Sequence, residues 1–210
     1  MMSAGSLTLV IGSMMSSKST TVASVINRFR HIGKRVLVIN HCSDTRYGRD
    51  AIITHDGLQI PCMMTATLEP ILHTKEYAES EIIVLEEIQF YDEMDVFKFC
   101  SRACDFDGKH VTAAGLQGDR HREPWPVISR LIPFAEKVIH LTGLCSVCRD
   151  GTSAAFTKRI APEFQGGTLV GGKDEYMCLC RRHYIETLHL PTSFVLNDAS
   201  HVCCATQSTF

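Results

Sequence analysis

Gly12 to Thr20 reads GSMMSSKST, a run that places a lysine and a hydroxyl residue after a glycine at the spacing of a phosphate-binding loop. The pattern of such a loop is G-x-x-x-x-G-K-[ST]. Gly12, Lys18 and Ser19 satisfy it, and Ser17 stands where the second glycine belongs. The chemistry requires backbone N–H groups facing phosphate oxygens, with the positive end of a helix behind them. Lys18 would reach the outer phosphates, and the Ser19 hydroxyl would help to hold a magnesium ion. A glycine in the loop permits positive φ and close approach of a ligand. Serine there costs on the order of 1 kcal/mol, so Ser17→Gly is expected to tighten nucleotide binding or raise turnover several-fold. The plainer reading of the stretch is a serine-rich turn with a capping lysine.

Two further groups of residues are spaced for chemistry. Glu86 and Glu87 end the apolar run EIIVLEEIQF; beside a phosphate loop, such carboxylates can serve a magnesium ion and a general base. Adjacent strand residues point to opposite faces, so at most one of the two should face the phosphates unless the chain twists there. The plainer reading is two solvated carboxylates at a strand end. The pairs Cys145-x2-Cys148 and Cys180-x2-His183 have the spacing of a structural zinc site built from two knuckles. Cys178 competes for the second pair. Cys42, Cys62, Cys100 and Cys104 read as core residues.

These residues need elements to hold them. Ser6 to Ile11, SLTLVI, is a β-prone run leading into the loop, and Val22, Val25, Ile26 and Phe29 recur at helical spacing behind it until Gly33. RVLVIN at 35–40, the run ending at Glu86-Glu87, KHVTAAGLQG at 109–118 and KVIHLTGL at 137–144 read as further strands, with DVFKFCSRAC as an amphipathic helix. Strands alternating with helices predict an α/β fold around a mostly parallel sheet with helices on both faces. From Cys145 the cysteines, histidines and paired glycines replace helical signals, predicting a metal-stapled subdomain over 145–190 after a nucleotide-binding domain over 1–144. The weakly patterned tail, 191–210, is expected to be flexible.

Bulk composition narrows the function. The 210 residues are 45% hydrophobic and include ten cysteines, with a net charge of −2; the pI is about 6.5 and mean hydropathy +0.03. This balance offers no electrostatic ground for tracking a polynucleotide. No apolar stretch is long and charge-free enough to span a membrane. MMSAGSLTLVIG lacks the basic start of a signal peptide. Cysteines without a secretory signal suggest reduced thiols or metal ligands in an intracellular, cytoplasmic protein.

Taken in order, the motifs resemble those of the zinc-containing, cellular-type thymidine kinases over about residues 6–184. The loop GSMMSSKST is followed by DTRY at 44–47, THD at 54–56, EEIQFY at 86–91, REPW at 122–125, IPFAEKVIHLTGLCSVC from Ile132, FTKR at 156–159, VGGKDEY at 170–176 and CRRHY. The resemblance implies a RecA-like P-loop fold, ATP and Mg²⁺ as cofactors, thymidine as the second substrate and a structural Zn²⁺. Glu87 would be the general base on the thymidine 5′-hydroxyl. The segment Gly12, Ser13, Met14, Met15, Ser16, Ser17, Lys18, Ser19 and Thr20 would hold ATP together with Asp44 and Arg46, with Ser19 and Glu86 serving Mg²⁺. Met14, Phe90, Leu116, Arg120, Trp125 and Thr157 would surround the nucleoside, closed in by a lasso carrying Thr168, Leu169, Val170, Gly171 and Tyr176. Cys145, Cys148, Cys180 and His183 would hold the zinc, and the family suggests a homotetramer. Four positions depart from the family pattern: Ser17, Glu86, Gln117 and Arg120. They raise an alternative, a weak or inactive relative kept for a structural or regulatory role.

Overall fold

Along β1 (Ser6–Gly12) the side chains of Leu7, Leu9 and Ile11 enter one apolar layer and that of Val10 enters another, so the strand is covered on both faces. The structure, a computed structural model, describes residues 4–44, 51–53, 59–161, 171 and 174–189. After β1 come α1 (Lys18–His31), β2 (Val36–His41), the pair β3 (Ala51–Ile53) and β4 (Gln59–Pro61), then β5 (Met63–Thr65) and α2 (Lys75–Glu79). The chain continues through β6 (Ile82–Leu85), α3 (Glu93–Ser101), β7 (His110–Leu116), α4 (Pro126–Leu131) and β8 (Lys137–Leu141).

Six of these strands form one sheet in the order β5-β2-β6-β7-β1-β8, and every pairing in it is parallel. Parallel strands need crossovers, and covering both faces demands near-continuous Val, Ile and Leu, as Ile82 to Leu85 supply. On one face, Val22, Ala23 and Ile26 of α1 pack against Val10, Val38, Val84 and Ala114. On the other, Val96, Phe99 and Cys100 of α3 and Val127, Ile128 and Leu131 of α4 join Leu7, Leu9 and Ile83. The expected α/β sheet with helices on both faces is therefore present. Val25 and Phe29, also expected on the buried stripe of α1, stay partly exposed beside an open groove.

Local caps fix the helix ends. At Gly33 (φ 76°) α1 stops, where the Gly33 N–H donates to the Arg30 carbonyl (3.0 Å) and the Lys34 N–H to that of Phe29 (3.1 Å). That crossed pair needs a left-handed residue, which glycine adopts without strain. The Asp92 carboxylate caps α3 by accepting from the N–H groups of Met94 (2.9 Å) and Asp95 (3.0 Å).

Three expectations are corrected. Of the four cysteines read as core residues, Cys100 and Cys104 are buried, but Cys42 is exposed and Cys62 only partly buried. The run 137–144 is not one strand: β8 ends at Leu141, and β9 (Gly143–Leu144) leaves the main sheet to pair with β10 (Ser153–Ala154). Gly143 makes this bend possible, since a Cβ there would lie 2.9 Å from the Cys178 Sγ and 3.1 Å from the Met15 carbonyl oxygen. The cysteine-rich part also contains a helix that its composition hides, α5 (Arg181–His189), after β11 (Phe156–Arg159) and β12 (Tyr176–Leu179). A separate core of Cys145, Ala154, Cys178, Leu179 and Tyr184 holds this region together. The tail 191–210 lies outside the described residues. Among the described residues, no helix is long and apolar enough to cross a membrane.

One buried polar atom at the edge of the main core yields a stability prediction. Tyr91 is 6% exposed, meets the His41 ring edge-on at 4.5 Å, and its hydroxyl has no hydrogen-bond partner among the described residues. An unmet buried hydroxyl costs on the order of 1–3 kcal/mol. Tyr91→Phe is expected to stabilise the fold by about 1 kcal/mol, seen as a melting temperature a few degrees higher. A lower melting temperature would show that the hydroxyl is satisfied.

Candidate active site

At its carboxyl end β1 terminates in a residue with no room for a side chain: a Cβ on Gly12 would lie 2.4 Å from the Ser16 Oγ and 2.6 Å from the Leu141 carbonyl oxygen. From there the chain curls into the loop. The Ser16 hydroxyl donates to the Ser13 carbonyl (2.8 Å), and Met15 (φ 58°) and Ser17 (φ 63°) are left-handed. Ser17 is the residue preceding α1, and its side chain caps none of the helix N–H groups. No acidic residue occupies the first turn of α1, so that end of the helix keeps its positive character. The Lys18 ammonium folds back over the loop, donating to the Ser13 carbonyl at 2.7 Å and the Gly12 carbonyl at 3.4 Å. Ser19 and Thr20 follow in the first turn of α1, partly exposed.

The other chemistry-bearing residues stand at the ends of the neighbouring strands, at the edge of a parallel sheet where ligands bind. Asp44, just past β2, is buried and accepts from the Asn40 amide (3.1 Å). Past β6, Glu86 is buried with its N–H on the Ile39 carbonyl (2.9 Å), while Glu87 turns left-handed (φ 53°, ψ 42°) into a short 3₁₀ turn over Ile88–Phe90. This turn replaces the strand alternation expected for the two carboxylates and frees their directions from the pleat. Gln89 is buried behind them; its amide donates to the Glu87 Oε2 and its Oε1 accepts from the Leu116 N–H (3.0 Å). Phe90 approaches the His41 ring at 5.9 Å.

The cysteine-rich region of β9–β12 and α5 is sewn directly to the loop. The Ser13 hydroxyl donates to the Ala154 carbonyl (3.2 Å), the Met14 N–H to the Thr157 hydroxyl (3.0 Å), and the Gln117 amide to the Ala155 carbonyl (2.7 Å). Gln117 also sends its N–H to the Gly12 carbonyl at 3.4 Å. Hence an amide suits this position; a carboxylate could not donate to Ala155. Across the β11–β12 pair, Thr157 lies opposite Cys178 and Arg159 opposite Tyr176. Burial pushes the Tyr176 phenol up, and the nearby Arg159 and Arg120 guanidiniums partly offset this. Arg120 anchors the turn after β7: its carbonyl accepts from the Tyr184 hydroxyl (2.8 Å) and its Nε meets the His121 Nε2 at 2.9 Å. Trp125 precedes α4 and packs on the main core, and its indole N–H has no partner among the described residues.

Cys145, Cys148, Cys180 and His183 converge, their four ligand atoms lying within 4.8 Å of one another. The three sulfurs stand 3.4, 3.2 and 3.3 Å from the His183 Nδ1, and the Cys148 and Cys180 sulfurs are 3.9 Å apart. A tetrahedral zinc with Zn–S of about 2.3 Å and Zn–N of about 2.0 Å sets ligand edges of about 3.5–3.8 Å. The donor set therefore fits zinc. Burial pushes the Cys145 thiol up, but the backbone N–H groups of Cys148, Cys180 and Val147 outweigh it and hold the group at about 6, so a thiolate is available at neutral pH. Cys178 belongs elsewhere: its sulfur contacts the Ser13 hydroxyl (3.1 Å) and donates to the Ala154 carbonyl (3.3 Å), and burial raises its thiol.

Comparison with known proteins decides the family. The thymidine kinase family model matches residues 5–184. The chain belongs to the thymidine kinase family. It is 37% identical over 186 residues to a thymidine kinase of Oryza sativa subsp. japonica, covering 87% of this chain and 67% of that one. It is 36% identical over 184 residues to thymidine kinase a of Arabidopsis thaliana, covering 86% and 75%. Against the thymidine kinase of raccoon poxvirus it is 34% identical over 185 residues, covering 88% and 99%.

Within this thymidine kinase family member, the candidate residues fall into two connected groups. Glu87 and Leu116 are joined through Gln89, and Met14 and Thr157 are joined directly. Arg46, Thr168, Leu169 and Val170 lie outside the described residues, and of the lasso only Gly171 and Tyr176 are described. The sequence motifs leave Gln89 and the tie of Ser13 to Ala154 unmarked, and offer Cys178 only as a competing metal ligand. A polar residue between apolar Ile88 and Phe90 was the available signal for Gln89. Nothing local marks the other two contacts, which join residues far apart in the chain.

The left-handed Ser17 carries a backbone strain of about 1 kcal/mol that a glycine would not. Ser17→Gly is accordingly expected to hold or raise the melting temperature and to lower the ATP KM by less than about fivefold, the whole of that energy. Thermal melts and steady-state kinetics with ATP varied check this. A destabilised or weaker-binding variant would mean that the serine side chain contributes to the loop.

Proposed function

We propose that this chain transfers the γ-phosphate of ATP to the 5′-hydroxyl of thymidine, giving thymidine 5′-monophosphate and ADP, with Glu87 as the general base. The observation that carries this reading is that Lys18, Ser19 and Glu87 stand together at the carboxyl edge of one parallel sheet in a chain of the thymidine kinase family. The loop from Gly12 to Thr20 would hold the phosphates through its N–H groups, aided by Lys18 and by Asp44 and Arg46. Ser19 and Glu86 would hold the magnesium ion, which neutralises charge building on the transferred group. The ring would lie against Met14, Phe90, Leu116, Thr157 and Tyr176, with Arg120 and Trp125 at its margin.

In the transfer, the 5′-hydroxyl oxygen attacks the γ-phosphorus while its proton passes to the Glu87 carboxylate, and the bond to the ADP oxygen breaks. Phosphoryl transfer asks the protein mainly for position and charge. The lasso, including Thr168, Leu169, Val170 and Gly171, would exclude water that could compete for the phosphoryl group. Three of the four departures from the family pattern fit a working enzyme. Glu86 keeps a carboxylate, Gln117 uses its amide to tie the sheet to the subdomain, and Ser17 already holds the left-handed geometry. We further propose a cytoplasmic homotetramer, with the zinc-stapled region as a subdomain of each chain.

Glu87→Gln keeps the shape of the side chain and removes its basicity. Turnover is expected to fall by about 10²–10⁴-fold while thymidine affinity stays within about threefold. Near-normal turnover in that variant would sink the assignment of the base.

The Cys145, Cys148, Cys180 and His183 set would hold a zinc ion that organises the subdomain, all four positions being filled by protein. Protein purified without chelators is expected to contain about one zinc per chain, and chelation to lower the melting temperature by loosening β9–β12 and α5. Elemental analysis finding no zinc, or a melting curve indifferent to chelator, would overturn this part.

A further inference from the structure

Gln89 lies two residues beyond Glu87, only 5% exposed, in the turn that follows β6. The two ends of its amide are not interchangeable. The Leu116 N–H can only donate, so the amide end 3.0 Å away must be the oxygen. The NH₂ end is thereby forced onto Glu87, whose ionised carboxylate can only accept, and the Nε2 does donate to the Glu87 Oε2. Turning the amide over would set oxygen against carboxylate and NH₂ against N–H, two repulsions in a buried place. Room for the oxygen comes from residue 115 being glycine: a Cβ there would lie 2.7 Å from the Gln89 Oε1 and 2.7 Å from the Ile88 Cγ1.

We propose that Gln89 is the positioning residue for Glu87. It holds the carboxylate in one direction and ties that direction to the backbone of Leu116, on the neighbouring strand end. Glu87 itself sits on a left-handed turn with no strand pairing to steady it, so its side-chain direction is set by its hydrogen bonds, the Gln89 amide among them. A misplacement of about 1 Å in a reacting group can cost on the order of a hundredfold in rate. The same amide sets the distance between the proton acceptor and the wall against which the ring would lie, because Leu116 receives its oxygen end. Gln89 does not touch the reacting atoms; it acts through Glu87. The inference rests on the reading of Glu87 as the base.

Two variants of the full-length protein test it beside Glu87→Gln. Gln89→Met keeps length without polarity. Gln89→Glu keeps an acceptor for the Leu116 N–H, removes the amide donor to Glu87 and sets a second carboxyl against it. Both are expected to lower kcat by about ten- to a hundredfold with the thymidine KM within about threefold. If Gln89→Met does not fold, Gln89→Glu decides. A wild-type kcat in a folded Gln89→Glu overturns the inference. So does a parallel loss of kcat and thymidine binding, which marks the amide as a packing element alone. An inactive Glu87→Gln beside unimpaired Gln89 variants sinks only the positioning role. An active Glu87→Gln sinks the base, and the positioning role with it.

Discussion

The reactive edge depends on a steric constraint at the end of the central strand. Gly12 is wedged between the Ser16 hydroxyl and the Leu141 carbonyl, with no space for even a methyl group. Because β1 lies between β7 and β8, this one residue sets where the loop leaves the sheet. Its carbonyl accepts from Gln117 at the end of β7 and from the Lys18 ammonium, so strand end, loop and neighbouring strand share one atom. A larger residue here would disturb all three together, which is why the surrounding packing admits only glycine.

From that wedge the contacts run outward in two directions. One passes through Ser13 and Met14 to Ala154 and Thr157, so the loop after β1 and the cysteine-rich region are a single hydrogen-bonded unit. The other passes along β7 to Leu116, then through the Gln89 amide to Glu87. Three sequence-distant regions thus meet without any one contributing a complete site. The buried members are polar groups in a place of low dielectric, where a satisfied hydrogen bond is strong and an unsatisfied one costly. The arrangement gains rigidity from that asymmetry.

Much of this was legible in the chain. The apolar runs ending at Gly12 and Glu86 mark parallel strands because both faces are covered, and the paired Cys and His spacing marks the cluster that could hold a metal because tetrahedral ligands come in compact knuckles. The motif order identified the family. What could not be read were features decided by long-range contact. The bend at Thr142 depends on the space that Gly143 leaves beneath Cys178 and Met15, and α5 is a short, polar helix that starts right after the metal-spaced Cys180. Cys178 competes with the Cys180-x2-His183 pair by spacing. Only its position under the Ser13 hydroxyl removes it from the cluster.

The sheet order also governs how the protein comes into being. β1 is synthesised first, yet its two partners are β7 and β8: Ser6 pairs with His110 and Thr8 with Lys137. At ribosomal speeds of about 5–20 residues per second, the N-terminal strand waits roughly 5–20 s for its first neighbour to emerge. During that interval SLTLVI is an apolar segment with both edges unpaired, a form prone to associate with other chains. The loop after β1 therefore takes shape only once β7 and β8 have emerged, although it is translated before them. Damage to the distal strands β7 or β8 would surface at the N-terminus, as a chain that aggregates before it can bind anything.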